Sequence, residues 1–189
     1  MTKSTVLTLV GSLRAESTNQ MLAEAIALNA PDQVDVVIHE SLGNIPFYNE
    51  DIDVEGQVPA AAAALRAAAG SANAVLLVTP EYNGTIPAPL KNAIDWLSRP
   101  FGAGALTGKP TAVVGTAFGQ FGGVWAQDEA RKAAGIAGAQ IVEDAKLAVP
   151  GSMVRFAELH PKDDAEVVEQ IQGVFTALAT AQAANQPAA

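Results

Sequence analysis

Short apolar runs alternate with amphipathic segments along the chain. The apolar runs are rich in Val, Ile, Leu and Ala and are bounded by turn residues, which predicts buried strands over 5–10, 34–40, 73–80, 109–117 and 140–149. Segments with apolar residues at helical spacing follow each run and predict helices over 17–30, 58–70, 88–98, 124–138 and 163–183. The chain therefore reads as a series of strand–helix units.

Residues that typically begin and end helices support this division. Ser17 or Thr18 stands where the first helix begins, and hydroxyl side chains are favoured at that position. Pro59 lies near the first turn of the second helix, and Gly70 is expected just after its end. The final residues, 183–189, are expected to fray.

The order of these elements predicts a fold class. Continuous apolar strands that alternate with helices are typical of a parallel sheet with helices on both faces. The length of 189 residues suits one domain, and neither a linker nor an internal repeat is visible, so we expect a single α/β domain over 1–189. Five strands favour the doubly wound, flavodoxin-like order 2-1-3-4-5 over the six-stranded dinucleotide-binding order.

Charge and composition narrow the possible functions. A net charge of −9 without a basic stripe argues against a nucleic-acid binder, and the absence of Cys excludes disulfides, thiolate catalysis and Cys-ligated metals. No pair of His with Asp or Glu has metal-ligand spacing, and His39 and His160 are expected at the surface or as capping residues. The apolar runs are too short for a signal peptide or a membrane span, so we expect a cytoplasmic protein without membrane contact.

Polar or glycine-rich loops follow the first, third and fourth predicted strands. In a sheet of order 2-1-3-4-5 these loops meet at the carboxyl edge, where ligands bind. The first, GSLRAESTNQ, gathers donors before a helix N-terminus, namely Ser12, Arg14, Ser17, Thr18 and Asn19. Such a helix end attracts anions, which predicts a phosphate site, although the loop is neither a Walker A nor a GxGxxG motif. A plain helix cap beside a solvated Arg14 is the alternative.

The other two loops suit a planar ligand. The loop PEYNGTIP has prolines that fix its backbone and a Tyr-Asn-Gly turn, so its N–H and C=O groups are able to read the edge of a heterocycle. The loop GTAFGQFGG has glycines that let a flat ring lie against the backbone. Phe118 and Phe121 either border that ring or belong to the core, and an ordinary turn is the alternative for each loop.

At these loops the sequence resembles the NADPH-dependent FMN reductase family, which includes flavin, quinone, chromate and azo-dye reductases. The likeness covers roughly residues 5–150. GSLRAESTN corresponds to the phosphate loop, PEYNGTIPAPLKNAIDWLSRP to the isoalloxazine loop, and GQFGGVWAQDEARKAAGIAGAQIV to the third loop with its helix. IPFYNEDID resembles the segment that follows the family's second strand.

The resemblance implies a bound FMN and identifies the residues that would hold it. The residues implied at the phosphate are Ser12, Arg14, Ser17, Asn19 and Gln20. The residues implied along the ring, largely through their backbone, are Pro80, Glu81, Tyr82, Asn83 and Gly84. The residues implied on the far side of the ring are Thr116 and Gly119.

The resemblance also implies an oxidoreductase. NADPH or NADH would pass a hydride to N5 of FMN and leave, and a quinone, a flavin, chromate or an azo dye would then take the electrons. Because FMN N5 carries the chemistry, no side chain is assigned as catalytic, and Glu81 is expected to orient neighbouring groups. Lys109 or Arg99 is a candidate for binding the 2′-phosphate of NADPH.

A homodimer or homotetramer is implied as well, with IPFYNEDID and the helix from Lys91 to Ser98 facing a partner subunit. Family members often carry Arg two residues after the GG pair, and this chain has Trp125 there. Two other functions fit the loops: a flavodoxin-type FMN electron carrier without a nicotinamide site, and a regulatory protein that binds another phosphorylated ligand or none. Arg14 and PEYNGTIP argue against the carrier.

Overall fold

The computed structural model describes residues 3–185, and these contain a parallel sheet of five strands. The strands are β1 (Ser4–Val10), β2 (Val34–Ile38), β3 (Ala74–Val78), β4 (Pro110–Thr116) and β5 (Gln140–Val149). Their order across the sheet is β2-β1-β3-β4-β5, and every neighbouring pair is parallel. The predicted flavodoxin-like, doubly wound fold class is confirmed.

Helices cover both faces of the sheet. They are α1 (Thr18–Leu28), α2 (Ala60–Ser71), α3 (Ala88–Leu97), α4 (Val124–Ile136), α5 (Ser152–Arg155) and α6 (Ala165–Ala184). One apolar core lies between the sheet and helices α1 and α6, and a second lies between the sheet and helices α2, α3 and α4. Because side chains alternate along a strand, Val6 and Val10 of β1 enter the first core while Leu7 and Leu9 enter the second.

The start of α1 agrees with the prediction from the sequence, and the end of α2 differs from it. Ser17 is the N-cap of α1, as predicted, and its Oγ accepts the Gln20 N–H at 3.3 Å. The predicted end of α2 before Gly70 is wrong, because the helix continues to Ser71. The Lys109 ammonium group donates to the carbonyls of Gly70 and Ala72, so the last turn is satisfied without a glycine stop.

Several short elements were not predicted. Three-residue 3₁₀ helices occur at Leu42–Asn44, Glu50–Ile52 and Pro161–Asp163, and α5 is a single turn. Strand β5 contains a bulge. Thr111 of β4 pairs with Ile141 and Val113 pairs with Lys146, so β5 has more residues than β4 between these two pairs. His160 caps the third 3₁₀ helix, as predicted, because its Nδ1 accepts the Lys162 N–H at 3.1 Å.

The segment 45–53, which contains the sequence IPFYNEDID, is fastened to α2 and α3. Trp96 Nε1 donates to the Pro46 carbonyl at 2.7 Å. Arg66 donates to both carboxylate oxygens of Asp53, at 2.6 and 2.7 Å. These bonds from Arg66 lower the pKa of Asp53 in spite of its partial burial, so the carboxylate stays charged and the segment stays attached.

Two predictions concern the ends of the chain and membrane contact. Of the predicted frayed tail 183–189, Ala183 and Ala184 belong to α6, and residues 186–189 lie outside the described residues. No helix within residues 3–185 combines the length and the apolar character needed to cross a membrane.

Candidate functional site

Three loops meet at the carboxyl edge of the sheet: the first loop (11–17), the second loop (79–87) and the third loop (117–123). Strand β1 pairs with β3, and β3 pairs with β4, so the loops that follow these strands are neighbours. The pairing continues past the strand ends, since the Gly11 N–H donates to Val78 O at 2.8 Å and the Thr79 N–H donates to Val114 O at 2.9 Å. The strand order reverses between β1 and β3. Open parallel sheets bind ligands at such a point.

The first loop combines a helix N-terminus with exposed donors. Arg14 is exposed, and its Nη2 donates to the Glu16 carbonyl at 3.0 Å. The Ser12 Oγ accepts the Arg14 N–H at 3.5 Å. Gln20, in the first turn of α1, donates from Nε2 to Glu24 Oε1 at 3.0 Å. A hydroxyl, a guanidinium and the positive end of a helix dipole thus lie within one short segment, and this donor set suits a phosphate.

Asn19 joins the first loop to the end of β4. Its side chain is buried, with Nδ2 donating to Thr116 O at 2.9 Å and Oδ1 accepting the Thr116 N–H at 3.0 Å. The Thr116 hydroxyl in turn donates to Val149 O at 2.7 Å. The polar groups of Asn19 and Thr116 are therefore engaged within the protein. These bonds connect the start of α1 to the end of β4. The contact of Asn19 and Thr116 with FMN stays a prediction.

The second loop is a rigid hairpin. Tyr82 and Thr85 exchange two backbone hydrogen bonds of 3.1 Å, and between them Asn83 and Gly84 have φ values of 53° and 74°. Positive φ at both central positions is typical of a type I′ turn, which Asn-Gly favours. Pro80 is buried, and its carbonyl accepts the Thr79 hydroxyl at 2.8 Å. The loop therefore presents the Tyr-Asn-Gly backbone in a fixed shape.

Glu81 connects the second loop to α4. Its Oε2 accepts the Ala126 N–H at 3.2 Å, in the first turn of that helix. A carboxylate is favoured at a helix N-terminus, where it satisfies a free donor and opposes the helix dipole. Glu81 acts here as an orienting group, as the sequence analysis expected.

The third loop contains two consecutive glycines with positive φ, and one of them approaches β5 closely. Gly122 and Gly123 have φ values of 64° and 80°, and a Cβ at Gly122 would lie 2.7 Å from the Ala148 carbonyl carbon. Gly119, by contrast, is exposed, and a Cβ there would meet nothing within 4 Å. The loop thus approaches β5 closely at one end and is open at Gly119.

Two residues of α4 that the sequence analysis missed stabilise the third loop. Gln127 Nε2 donates to Gly122 O at 3.2 Å. The buried Arg131 donates from Nη2 to Val113 O at 2.8 Å and to Gln127 Oε1 at 3.3 Å. Their spacing of four residues on α4 was the available signal, because residues at that spacing lie on the same side of a helix.

Aromatic side chains surround the open side of the site. The side chains of Tyr82, Phe118, Phe121 and Trp125 are all exposed, so the core alternative for the two phenylalanines is wrong. The Phe121 and Trp125 rings have centroids 6.3 Å apart and an interplanar angle of 41°. Exposed aromatic side chains therefore lie in the second and third loops and at the start of α4.

Three ionisable residues considered from the sequence lie outside these loops. Lys109 immediately precedes β4 and Arg99 follows the last turn of α3; their suggested role at the 2′-phosphate of NADPH stays a prediction. His39 follows β2, and its N–H donates to Thr8 O at 2.9 Å. Burial lowers the pKa of His39, so the fold favours its neutral form.

These residues fit a flavin mononucleotide. The first loop supplies phosphate donors, the second a fixed backbone edge, and the third an open glycine surface at Gly119. The fold is that of a flavodoxin-like protein.

The chain belongs to the NADPH-dependent FMN reductase family, whose model matches residues 4–153. It is 46% identical to a quinone reductase of Pseudomonas putida over 127 residues, 67% of each chain. It is 42% identical to an NAD(P)H-dependent FMN reductase of Pseudomonas aeruginosa over 128 residues, again 67% of each chain. Among solved structures, the flavoenzyme FerB of Paracoccus denitrificans, an NAD(P)H:(acceptor) oxidoreductase, aligns with a TM-score of 0.78 and 26% identity, covering 94% of this chain and 98% of FerB.

Family membership confirms several predictions made from the loops. The protein is an oxidoreductase, its cofactor is FMN, and its hydride donor is NAD(P)H. A small molecule accepts the electrons. The individual residues assigned to FMN stay predictions.

Proposed function

We propose that the protein binds FMN across the three loops and uses it to reduce quinones, and also free flavins, with electrons from NAD(P)H. The observation that carries this proposal is the meeting of a phosphate-type loop, a type I′ turn and an open glycine loop at the point where the sheet order reverses. The names of the relatives, quinone reductase and NAD(P)H-dependent FMN reductase, support the choice of acceptor. Chromate and azo dyes are further candidate acceptors.

Each loop has one task in this proposal. The phosphate is held by Ser12, Arg14 and the N-terminus of α1, which Ser17 keeps in place. The ring lies along the backbone of 80–84 and is bordered by the third loop at Gly119. Asn19 and Thr116 act indirectly by fixing the distance between the first and third loops.

The protein supplies binding and orientation rather than an acid or a base. Bound FMN would supply the transfer of two electrons: NAD(P)H would lose a hydride, and a quinone would gain two electrons, one proton from that hydride and one from solvent to become a hydroquinone. No side chain has to act as a nucleophile in this exchange. Glu81, the only carboxylate in the second loop, is engaged with the Ala126 N–H and keeps α4 and the second loop together.

Steady-state oxidation of NAD(P)H with a quinone tests this proposal. The purified protein, supplied with FMN, should oxidise NADPH or NADH continuously when a quinone is present, with hydroquinone formed in equal amount. A protein that binds FMN but supports no NAD(P)H oxidation would match the electron-carrier alternative. A protein that does not bind FMN at all would match the regulatory alternative and exclude both flavin functions.

We further propose that the protein forms a homodimer or homotetramer through α3 and the segment 45–53. A groove of about 530 Å³ lies between α3 and α4, and large apolar side chains are exposed on this side of the molecule at Phe47, Phe101 and Ile136. Exposed apolar area of this kind is typical of interaction surfaces. Sedimentation velocity should give a mass above that of the 19.4 kDa chain, and Phe47→Asp should lower it. Leu28→Asp, on the opposite face of the sheet, is the matched control and should leave the mass unchanged.

A cytoplasmic location stays a prediction. The acidic chain also gives no support for binding to nucleic acid, since its net charge is −9. The preference between NADPH and NADH follows from the assay above when both donors are compared.

A further inference from the structure

Trp125 stands between the two loops that are assigned to the flavin ring. It lies in the first turn of α4, directly after the third loop, and its side chain is 58% exposed. On one side its ring is tilted against Phe121, with centroids 6.3 Å apart. On the other side its Cε3 lies 3.6 Å from the position that a Cβ on Gly84 would occupy. The indole is therefore supported by the turn of the second loop and by the third loop together.

In this position more than half of the Trp125 surface remains open to solvent. Gly84 has φ of 74° and lacks a side chain, so the indole lies against the turn itself. Phe121 is tilted by 41° relative to Trp125, and it is also largely exposed. Two large aromatic surfaces in water are unfavourable unless a ligand covers them. Because the two rings are tilted by 41°, a planar ligand would stack on one of them and contact the edge of the other.

The charges around this surface favour a neutral ligand. Neither the second loop nor the third loop contains Lys or Arg, and the nearest ionisable group of the second loop is the Glu81 carboxylate. The first loop has one basic residue, Arg14, which the proposed function assigns to phosphate. Neither ring-binding loop therefore offers a cation to pair with an anionic acceptor. An uncharged ring needs no such partner when it stacks there.

We propose that Trp125, together with Phe121, is the stacking surface for the electron acceptor and that it selects neutral planar acceptors over anionic ones. This inference rests on the proposed function, because the acceptor has to approach a flavin that lies between the same two loops. It makes Trp125 a residue that determines specificity, without a part in the chemistry.

The test compares two naphthoquinones that differ mainly in charge: neutral menadione and the anionic 1,4-naphthoquinone-2-sulfonate. Trp125→Ala should raise the KM for menadione about two- to tenfold, as expected for the loss of one aromatic stacking partner. Trp125→Phe should restore most of the wild-type KM. Trp125→Arg should shift the ratio of kcat/KM values toward the sulfonated quinone, because it brings a cation to the stacking surface. Leu28→Ala, which also removes an exposed apolar side chain, is the matched control and should change none of these values.

A second readout separates this inference from the proposed function. The rate at which NADPH bleaches the visible flavin absorbance without oxygen reports the proposed function alone, because no acceptor takes part in that step, and it is measured in wild type and in Leu28→Ala. If this bleaching is prompt and the KM for menadione is unchanged in Trp125→Ala, the inference is wrong and the proposed function stands. If Trp125→Ala lowers the mass in sedimentation without changing that KM, the surface is a subunit contact and the inference is again wrong. If wild-type protein neither binds FMN nor reacts with NADPH, the proposed function fails and the inference with it.

Discussion

Single residues determine how the loops at the carboxyl edge are held together. Asn19 carries two buried hydrogen bonds to the backbone of Thr116, and Glu81 carries one to the N-terminus of α4. Arg14, in contrast, is exposed and bonded only within its own loop. These two environments predict different results when the residues are changed: a loss of stability for the buried amide and a loss of ligand affinity for the exposed guanidinium.

Asn19→Ala should destabilise the protein and weaken FMN binding together. The change leaves the Thr116 N–H and carbonyl without partners, at a cost of about 1–3 kcal/mol for each buried group. Urea unfolding of the apo protein measures this loss. Gln20→Ala, in the next position, removes a side chain whose hydrogen bond is to the exposed Glu24; it is the matched control and should change the free energy of unfolding by less than about 0.5 kcal/mol. Equal stability of the two variants would contradict the structural role of Asn19.

Arg14→Ala should weaken FMN binding by roughly 1.5–3 kcal/mol, the usual contribution of a hydrogen bond to a charged group. Because Arg14 is exposed, the stability of the apo protein should not change. Fluorescence titration of apo protein with FMN gives the affinity. Lys146→Ala, on β5, removes a different exposed cation as a control. Unchanged affinity in Arg14→Ala would remove Arg14 from the phosphate site.

The sequence predicted which residue types occur at the site, but it did not predict their hydrogen-bond partners. Hydroxyl, amide and guanidinium groups before a helix are visible in the sequence, and so is the Ser17 cap, because capping is a local interaction. The bonds of Asn19 to Thr116 join residues 97 positions apart, and no local pattern reports them. The exposure of Phe118 and Phe121 also depends on packing across the fold, which explains why the sequence left both alternatives open.

The backbone of β4 and of the third loop lies close to neighbouring segments, and these contacts determine the shape of the site. Gly115 and Gly122 are the places where β4 and the third loop come nearest to their neighbours: a Cβ at Gly115 would lie 2.2 Å from Thr79 O, and one at Gly122 would lie 2.7 Å from the Ala148 carbonyl carbon. Neither contact is the end of a flexible side chain, so the backbone itself would have to move. The glycines therefore set the separation of the strands at the edge where the loops meet.

Gly122→Ala should move the third loop and weaken FMN binding, since it combines a positive φ of 64° with a backbone clash. We expect a loss of about 1–3 kcal/mol in the free energy of unfolding, the usual cost of a strained residue. Gly119→Ala in the same loop is the matched control, because a Cβ there meets nothing within 4 Å. Thermal unfolding of both variants would contradict this account if Gly119→Ala were the more damaging change.

Elements with a strong hydrophobic pattern were predictable, and short ones were not. The five strands were predicted from their apolar runs, and their order from the number of strands, which favours the flavodoxin-like arrangement. Helix α5 has only four residues and starts after Gly151, which has φ of 66°, so it presents no helical repeat to recognise. The end of α2 was placed wrongly because Lys109, far along the chain, satisfies its last carbonyls.

Two partly buried ion pairs, Arg66–Asp53 and Arg155–Asp164, favour the charged form of their carboxylates in the folded protein. Arg155 donates to both carboxylate oxygens of Asp164 at 2.6 and 2.8 Å, and Asp164 is also the N-cap of α6. These bonds from Arg155, together with the N–H of Val167, lower the pKa of Asp164 below 3.8 although its burial opposes this. The charged form is thus favoured by the fold, so its stabilising effect is complete above 3.8 and is lost as the pH falls through the lowered pKa.

Asp164→Asn should lower the free energy of unfolding at neutral pH by roughly 1.5–3 kcal/mol and should reduce the further loss below pH 3.8. Asparagine still caps a helix, so the change isolates the charge. Urea unfolding at neutral and acidic pH measures both effects. Asp163→Asn, which affects an exposed pair with Lys162, is the control and should have little effect. An acid dependence in Asp164→Asn equal to that of wild type would show that this pair does not contribute.

The visible absorption spectrum of the purified protein, before and after NADPH is added without oxygen, tests the central claim most directly. The account predicts a flavin spectrum, present as purified or after incubation with FMN, that bleaches promptly on addition of NADPH. A flavin spectrum that stays oxidised would contradict the reductase and favour an electron carrier. The absence of any flavin spectrum after incubation with FMN would contradict the placement of FMN across the three loops.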